Sequence, residues 1–589
     1  MKKVSFVDQT IRDAQQSLWA YLMSSDMILP IAPVMDEIGY HEIATVGSMG
    51  FVVQIRYFNE NPWERMRELS KIITKTPLRG SYMTASLASF DIDTPRDAIA
   101  LWIERHVANG IKSFWVCDYQ SDMDRFYYFA KRVKEAGARC IPALMYTLSP
   151  VHTDELWGKK TDLIAQISDV VDAIMIEDAG GLITPERTRS LITTVKQHSK
   201  GLPIEFHSHC TTGLAPICYL EAIEAGAEIL HTAVSPLANG TSLPSLENIV
   251  KNSRRMGYQD NIDDAALETV SAHFRKIAEK EGLAIGMPPE YDLYYYEHQV
   301  PGGMITNLKR QLGEMGMEHR LEDVLEEVVT LRKEFGYPVM ATPFSQIVGS
   351  QAVENVISGE RYKKVLDESF KYILGYYGEP AAPIDPNVMD RIMALPEADK
   401  FVNWQPTGRN RPLAELREEI GQEYSDEEFL LRLLIPGVSS KKKASSKIKP
   451  RKTGPNTSTT AEAHPGTFSG LPMTLNIEVD GEVFNVKVSA PDAQDDSPKD
   501  ETRRAASKPK PREVPPGAVL SSLAGMIVSV KVTVGQQVDR GDVLATVEAM
   551  KLIREVNAPY RGVVKEIFVE DGEMVEAEDI LMTVEKNDE

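Results

Sequence analysis

The sequence predicts an α/β fold: a (β/α)8 (TIM) barrel followed by a C-terminal helical region, then a small all-β domain carried on flexible linker. Three observations predict it. Short apolar runs alternate with charged, helix-patterned stretches from the N-terminus to about residue 240. Composition changes abruptly after residue 436, to Lys, Ser, Thr and Pro. The last stretch of the chain is Val/Ile-rich, broken by Gly, and its two halves resemble each other.

The apolar runs give eight strands, near Val4 to Val7, Glu42 to Val46, Pro77 to Tyr82, Ser113 to Cys117, Arg139 to Tyr146, Ala173 to Ile176, Pro203 to His209 and Glu228 to Val234. Eight β/α units in order predict a barrel with its active site at the C-terminal strand ends. From about Ala265 to Pro436 the pattern is largely helical, with loops at Val300-Pro301-Gly302-Gly303 and Ala341-Thr342-Pro343. Ser439 to Gly470, with Lys441, Lys442 and Lys443, cannot bury a core. A hairpin follows, Leu475 to Val479 and Val483 to Val488, turning at Asp480-Gly481. A second Pro/Lys/Asp-rich stretch, Pro491 to Pro516, leads into the last domain. The expected boundaries are 1–290 barrel, 291–436 helical region, 437–470 linker, 471–490 hairpin, 491–516 linker and 517–589 β domain. Two linkers imply a domain that travels.

In that last domain, Ala524-Gly525-Met526-Ile527-Val528 followed by Val534-Gly535-Gln536-Gln537-Val538 is echoed by Gly562-Val563-Val564 followed by Val569 to Val575. Glu548-Ala549-Met550-Lys551 sits between the copies, at the hairpin expected to join them. An exposed lysine at a hairpin tip suits an amide-linked cofactor, open to an attaching ligase and long enough to swing. The segment from about Gly517 to Glu585 resembles the biotinyl (biotin carboxyl carrier) domain, which implies covalent biotin on Lys551 and recognition by a biotin protein ligase. A lipoyl domain shares the fold, but its lysine is usually flanked by Asp-Lys rather than Met-Lys.

The chain has 589 residues and a formal net charge of −21, which argues against a nucleic-acid partner. Four cysteines, Cys117, Cys140, Cys210 and Cys218, form neither a metal-ligand pattern nor a disulfide framework, so a reducing cytoplasm is expected. No stretch is long and apolar enough for a signal peptide or a membrane span, so membrane association would come through a partner.

The predicted strand ends carry Arg12 and Asp13, Arg79, Asp118, Thr147, Glu177-Asp178 and His207-Ser208-His209. His207 and His209 are two apart on a strand, so both imidazoles face the same way. With Asp13 they form a set suited to Zn²⁺ or Mn²⁺.

Asp8 to Leu18, Asn61 to Arg65, Thr76 to Gly80, Tyr146 to Thr153, His207 to Leu214, Pro301-Gly302-Gly303, Thr306-Asn307-Leu308 and Thr342-Pro343 resemble the biotin-dependent carboxyltransferase family. That family includes the carboxyltransferase domain of pyruvate carboxylase, the oxaloacetate decarboxylase α subunit and the keto-acid subunit of transcarboxylase. The resemblance spans about residues 1 to 435 and, with the biotinyl end, is nearly full length. It implies a divalent metal (Zn, Mn or Co) held by Asp13, His207 and His209. It further implies that Arg12, Gln16 and Arg79 position keto-acid or biotin oxygens, and that Thr342 shuttles a proton between substrate and biotin.

This sequence departs from the family pattern in four places. Glu177 replaces a lysine that is carboxylated and metal-bound, Val52 stands where an aspartate is expected, Ser86 replaces a tyrosine, and Trp115 falls in an altered fourth-strand motif. Glutamate is three bonds shorter than carboxylated lysine, which leaves its head roughly 3 to 4 Å further back. Glu177 is therefore expected to ligate only if metal or backbone moves, and otherwise to act through water.

The resemblance implies transfer of a carboxyl group between biotin on Lys551 and an enolisable small acid, by default pyruvate or oxaloacetate. The decarboxylating direction, a non-catalytic carrier subunit and a metal-dependent aldolase-like lyase are alternatives; the lyase leaves the biotinyl domain unexplained. No Gly-rich loop of an ATP-using biotin carboxylase is evident, so the expected partner is a separate biotin carboxylase subunit or a membrane decarboxylase subunit. A homo-oligomer is also expected.

Overall fold

A computed structural model describes the chain apart from residues 1, 46, 85, 88–93, 119–121, 302–303, 306–307, 310–311, 314–315, 406, 436–472, 480–481, 489–516, 522–524, 550–551, 576–578 and 587–589. Eight parallel strands close into a barrel: β1 (Ser5–Asp8), β2 (Glu42–Ala44), β3 (Leu78–Met83), β4 (Ile111–Cys117), β5 (Arg139–Met145), β6 (Ile174–Asp178), β7 (Ile204–Ser208) and β8 (Ile229–Thr232). Closure is through β1 and β8, with Ser5 opposite Ile229 and Asp8 opposite Thr232.

Strand periodicity sorts the side chains. Phe6, Ile43, Phe114, Val116, Ile174, Ile176, Phe206 and Leu230 point outward and join the helices in one buried apolar cluster. The alternate residues point inward. Trp115, Cys117, Ile141, Ala143, Met145 and Met175 form a separate apolar cluster inside the barrel, and Val7, Ala44 and Ile229 form another. Between these apolar groups the interior carries buried charge, Glu42, Arg79, Glu205 and His231.

The surrounding helices start where the sequence supplies a side-chain acceptor for their unpaired first N–H groups. Thr153, Thr184, Ser245 and Asp263 each accept from a backbone N–H two or three residues on. Beyond the barrel, the helical region has its own core, including Val324, Leu331, Phe335, Phe344, Ile347, Tyr372 and Phe401. It meets the barrel at a functionally telling place. Val339 and Ala341 pack against the interior cluster that contains Trp115, Cys117 and Met145. Since Cys117 and Met145 end β4 and β5, the segment leading into Thr342 covers the C-terminal mouth.

Residues 453–516 form a separate unit. Its described part is an antiparallel pair, β9 (Met473–Val479) with β10 (Glu482–Val488). The expected linkers at 437–470 and 491–516 lie outside the described residues.

The last domain has eight strands: β11 (Ala518–Leu520), β12 (Gly525–Val530), β13 (Gln537–Val538), β14 (Val543–Ala549), β15 (Leu552–Asn557), β16 (Gly562–Ile567), β17 (Met574–Val575) and β18 (Ile580–Lys586). They form two four-stranded sheets, β11-β18-β16-β13 and β15-β14-β12-β17. The sequence echo has a structural counterpart: β12 of the first half pairs with β17 of the second, and β16 of the second pairs with β13 of the first. Each half thus completes the other's sheet. Leu544, Val564, Met582 and Val584 fill one part of the core and Ile527, Val547 and Leu581 another.

Candidate active site and metal centre

The chain turns sharply after β1. Thr10–Ala14 is a single π-helical turn, which runs directly into the short helix Gln15–Trp19. Such turns hold an extra residue per bond ring and often re-aim side chains at functional sites. This one carries Arg12 and Asp13; Gln16 follows on the next turn, half-buried.

Asp13 faces two histidines from β7, which β8 alone separates from β1. Its Oδ1 lies 3.4 Å from His209 Nε2 and its Oδ2 lies 3.7 Å from His207 Nε2. Ligand atoms of these three buried residues lie within 4.8 Å of one another, and among the described residues no other group of His, Cys, Asp and Glu does so. His207 is on β7, whereas His209 is one residue past its end. The two rings nevertheless stay 5.2 Å apart. Both Nε2 atoms are buried without a hydrogen-bond partner. Two buried imidazole nitrogens left unpaired beside a carboxylate are costly unless something else occupies the space between them. A divalent metal with two nitrogen ligands and one oxygen ligand fits that donor set.

The remote nitrogens are tied back. His209 Nδ1 lies 2.6 Å from the carbonyl oxygen of Thr241, so it donates there. His207 Nδ1 lies 3.2 Å from Nδ1 of His231. Ser17 donates to Asp13 Oδ1 at 2.9 Å, and Arg12 pairs with Asp13 Oδ2. Burial alone would raise the Asp13 carboxyl, but His209, Arg12 and His207 hold it well below the usual range. Burial also pushes the His207 imidazole well down, keeping it neutral as a ligand must be. For His209 burial pulls the same way, but Asp13 outweighs it and the shift is upward.

The remaining predicted residues are not all brought together. Arg12 lies over Trp115, its guanidinium carbon 3.9 Å from the ring centroid, so the altered fourth-strand position forms a face for the arginine. Glu177 ends up outside the three-residue ligand group. Its Oε2 is 3.9 Å from the Cys117 thiol, and burial, opposed by Arg12, pushes its carboxyl up to about 8. Arg79 is below the mouth rather than in it. It pairs through Nε with Glu42, and with both oxygens of Glu205, the Nη2 contact being 2.9 Å. Its guanidinium is thus held by two buried carboxylates, leaving it no open face toward a keto acid. Glu42 in turn accepts from Ser113 at 2.6 Å and from Arg139 at 2.7 Å.

Thr342 is half-buried beside the covering segment. Gln346 Nε2 donates to its Oγ1 at 3.0 Å, so the threonine's own proton remains available for another acceptor. Of the other departures, Ser86 is buried and Val52 half-buried on the helix Ser48–Phe58. Lys551 lies outside the described residues; β14 and β15 pair Ala549 with Leu552 on either side of it and Met550.

Sequence reasoning missed Glu42, Glu205 and His231. The signal was present in Glu205-Phe206-His207-Ser208-His209, where period-two spacing aims Glu205 inward below the two histidines.

Three family matches follow the architecture. Residues 3–273 match the HMGL-like family, residues 295–489 the conserved carboxylase domain, and residues 515–584 the biotin-requiring enzyme domain. The chain is 37% identical to a pyruvate carboxylase subunit of Methanocaldococcus jannaschii, over 93% of this chain and 94% of that one. It is 30% identical to the 2-oxoglutarate carboxylase large subunit of Hydrogenobacter thermophilus, over 95% of this chain and 91% of that one. The carboxyl transferase domain of Rhizobium etli pyruvate carboxylase, solved with oxamate and biotin, shares the fold at a TM-score of 0.66 and 24% identity, covering 74% of this chain and 76% of that one. The chain belongs to the biotin-dependent carboxyltransferase family, alongside the pyruvate carboxylase subunits that carry both a carboxyltransferase barrel and a biotinyl domain.

Proposed function

We propose that this chain moves a carboxyl group from biotin on Lys551 to the methyl carbon of pyruvate. The observation that carries the reading is the Asp13, His207 and His209 group, with two orphaned Nε2 atoms, under a covering segment that ends at Thr342. Its attachment to a chain with a biotin-requiring domain supplies the second reactant.

Asp13, His207 and His209 would hold the metal, which when bound polarises the keto oxygen as a Lewis acid. Arg12, fixed between Asp13 and the Trp115 face, keeps one cation beside that oxygen, where enolisation builds negative charge. Thr342 moves the proton between the substrate methyl group and biotin, with Gln346 orienting its hydroxyl. Gln16, half-buried on the helix Gln15–Trp19, contacts substrate or biotin oxygens. Arg79, clasped by Glu42 and Glu205, supports the wall from below and does not touch substrate. Val339 and Ala341 exclude water from the reacting group. Glu177, whose carboxyl burial pushes up, lies outside that ligand group.

The partner that loads the biotin is a separate biotin carboxylase subunit. The names of the Methanocaldococcus and Methanothermobacter relatives support this, since each is one subunit of a pyruvate carboxylase rather than the whole enzyme. Streptavidin blotting of wild type and Lys551→Ala tests the carrier, with the signal expected only in wild type. Carboxyl transfer with pyruvate, oxaloacetate and 2-oxoglutarate tests the acceptor. Activity only with 2-oxoglutarate would replace pyruvate by the acceptor named for the Hydrogenobacter relative.

A further inference from the structure

A line of buried polar contacts runs downward from the metal-facing histidines. His207 Nδ1 meets His231 Nδ1 at 3.2 Å, and His231 Nε2 meets Glu205 Oε2 at 2.9 Å. Glu205 is then held by both terminal nitrogens of Arg79. All four side chains are at most 1% exposed. Gln9 Nε2 also lies 2.9 Å from His231 Nδ1.

The shortest contacts point to one assignment of protons. A carboxylate paired with arginine can only accept, so the His231 proton is on Nε2, facing Glu205. The Arg79 guanidinium, 3.4 Å from that same nitrogen, disfavours a second proton on the ring. His231 Nδ1 is therefore an acceptor, and its single lone pair is shared between the side-chain amide of Gln9 and the Nδ1–H of His207. That leaves the lone pair of His207 on Nε2, the atom 3.7 Å from Asp13.

We infer that His231 is a positioning residue: with Glu205 behind it, it fixes His207 as the Nδ1–H tautomer and aims the Nε2 lone pair at the metal position. The inference rests on the metal reading of the Asp13, His207 and His209 group. His209 is fixed the same way by a backbone carbonyl, Thr241. His207 lies one layer deeper in the barrel, where an imidazole backed by a carboxylate serves instead. Removing such a partner typically lowers metal affinity about 10- to 100-fold, because the ligand loses its tautomer and orientation.

The test is Co²⁺ binding to the full chain, followed by its visible absorption and by titration, with metal-stripped protein. His231→Leu removes the acceptor and His231→Gln restores one, with an amide oxygen for His207 and an amide N–H for Glu205. The expected result is about a 10- to 100-fold weaker Co²⁺ affinity and an altered spectrum in the Leu variant, with most of the affinity and the wild-type spectrum in the Gln variant. A Leu variant that binds Co²⁺ like wild type overturns the inference, and so does a folded Gln variant as weak as Leu. If neither variant folds, ¹⁵N NMR of histidine-labelled wild type loaded with Zn²⁺ decides: His207 protonated at Nδ1 and His231 at Nε2 support the inference, and His231 protonated at Nδ1 overturns it. His209→Asn separates the two levels. If it binds Co²⁺ as tightly as wild type, the metal reading itself fails, whatever the His231 variants do.

Discussion

At the scale of single residues, the two carboxylates near the histidines have been given different work by their surroundings. Asp13 is held ionised by His209, Arg12 and His207 against its burial. Glu177 has no comparable compensation, so burial dominates and its carboxyl rises to about 8. The short reach of glutamate agrees with this placement, since its head falls outside the ligand group. Metal analysis of protein grown and purified without added bicarbonate should therefore find wild type and Glu177→Gln loaded alike, and Asp13→Asn depleted. Loss of metal in Glu177→Gln would make that residue a ligand after all. Thr342 allows a second separation. Thr342→Ala should keep metal and biotin but lose most transfer, whereas Thr342→Ser keeps the hydroxyl and should retain it; equal losses in both would assign the role to the methyl group's packing.

At the scale of elements, one helix contact makes the barrel's stability depend on pH. The helix Arg96–Ala108 packs His106 among Phe51, Trp63 and Trp102, with ring centroids 4.4 to 5.5 Å from its own. Its Nδ1 lies 2.9 Å from the Trp102 carbonyl, and Nε2 is buried without a partner. Burial pulls this imidazole down from 6.5 to about 4. The folded state thus keeps His106 neutral where the unfolded chain protonates it, so stability falls as pH drops from about 6.5 toward 4. At pH 5 the loss is about 2 kcal/mol by linkage. His106→Phe keeps an aromatic ring there and should remove that part of the loss, read from urea unfolding at pH 7 and pH 5 by tryptophan fluorescence. An equal pH dependence in the variant would exclude His106 as its source. The strands themselves were legible because inward and outward positions alternate, and His207 could be placed from that alternation. Arg79 was not placed by it: the residue points inward as expected, but Glu42 and Glu205, far apart in sequence, determine that it is clasped rather than open. The π-helical turn at Thr10–Ala14 likewise has no periodic signature in five residues.

At the scale of the whole molecule, the relatives differ in how much of their own length this chain covers. The pyruvate carboxylase of Bacillus subtilis is matched over 99% of this chain but only 54% of its own length, while the Methanocaldococcus and Methanothermobacter relatives are matched over 94% of theirs. Internal symmetry made the carrier domain readable, because two halves that exchange strands must each repeat the pattern, as β12 with β17 and β16 with β13 do. The stretches at 437–470 and 491–516 carry no such pattern, and only their composition marks them as spacers. Purified alone with ATP, bicarbonate and pyruvate, biotinylated protein should therefore produce no oxaloacetate. Adding the cognate biotin carboxylase subunit should start the reaction, and Lys551→Arg should stop it even with that subunit present, since the proposed carrier is attached at that lysine. Sustained ATP-dependent carboxylation by the chain alone would show that the loading activity resides within these 589 residues. Carboxylation that persists in Lys551→Arg would show that the carboxyl group travels by a route other than this lysine.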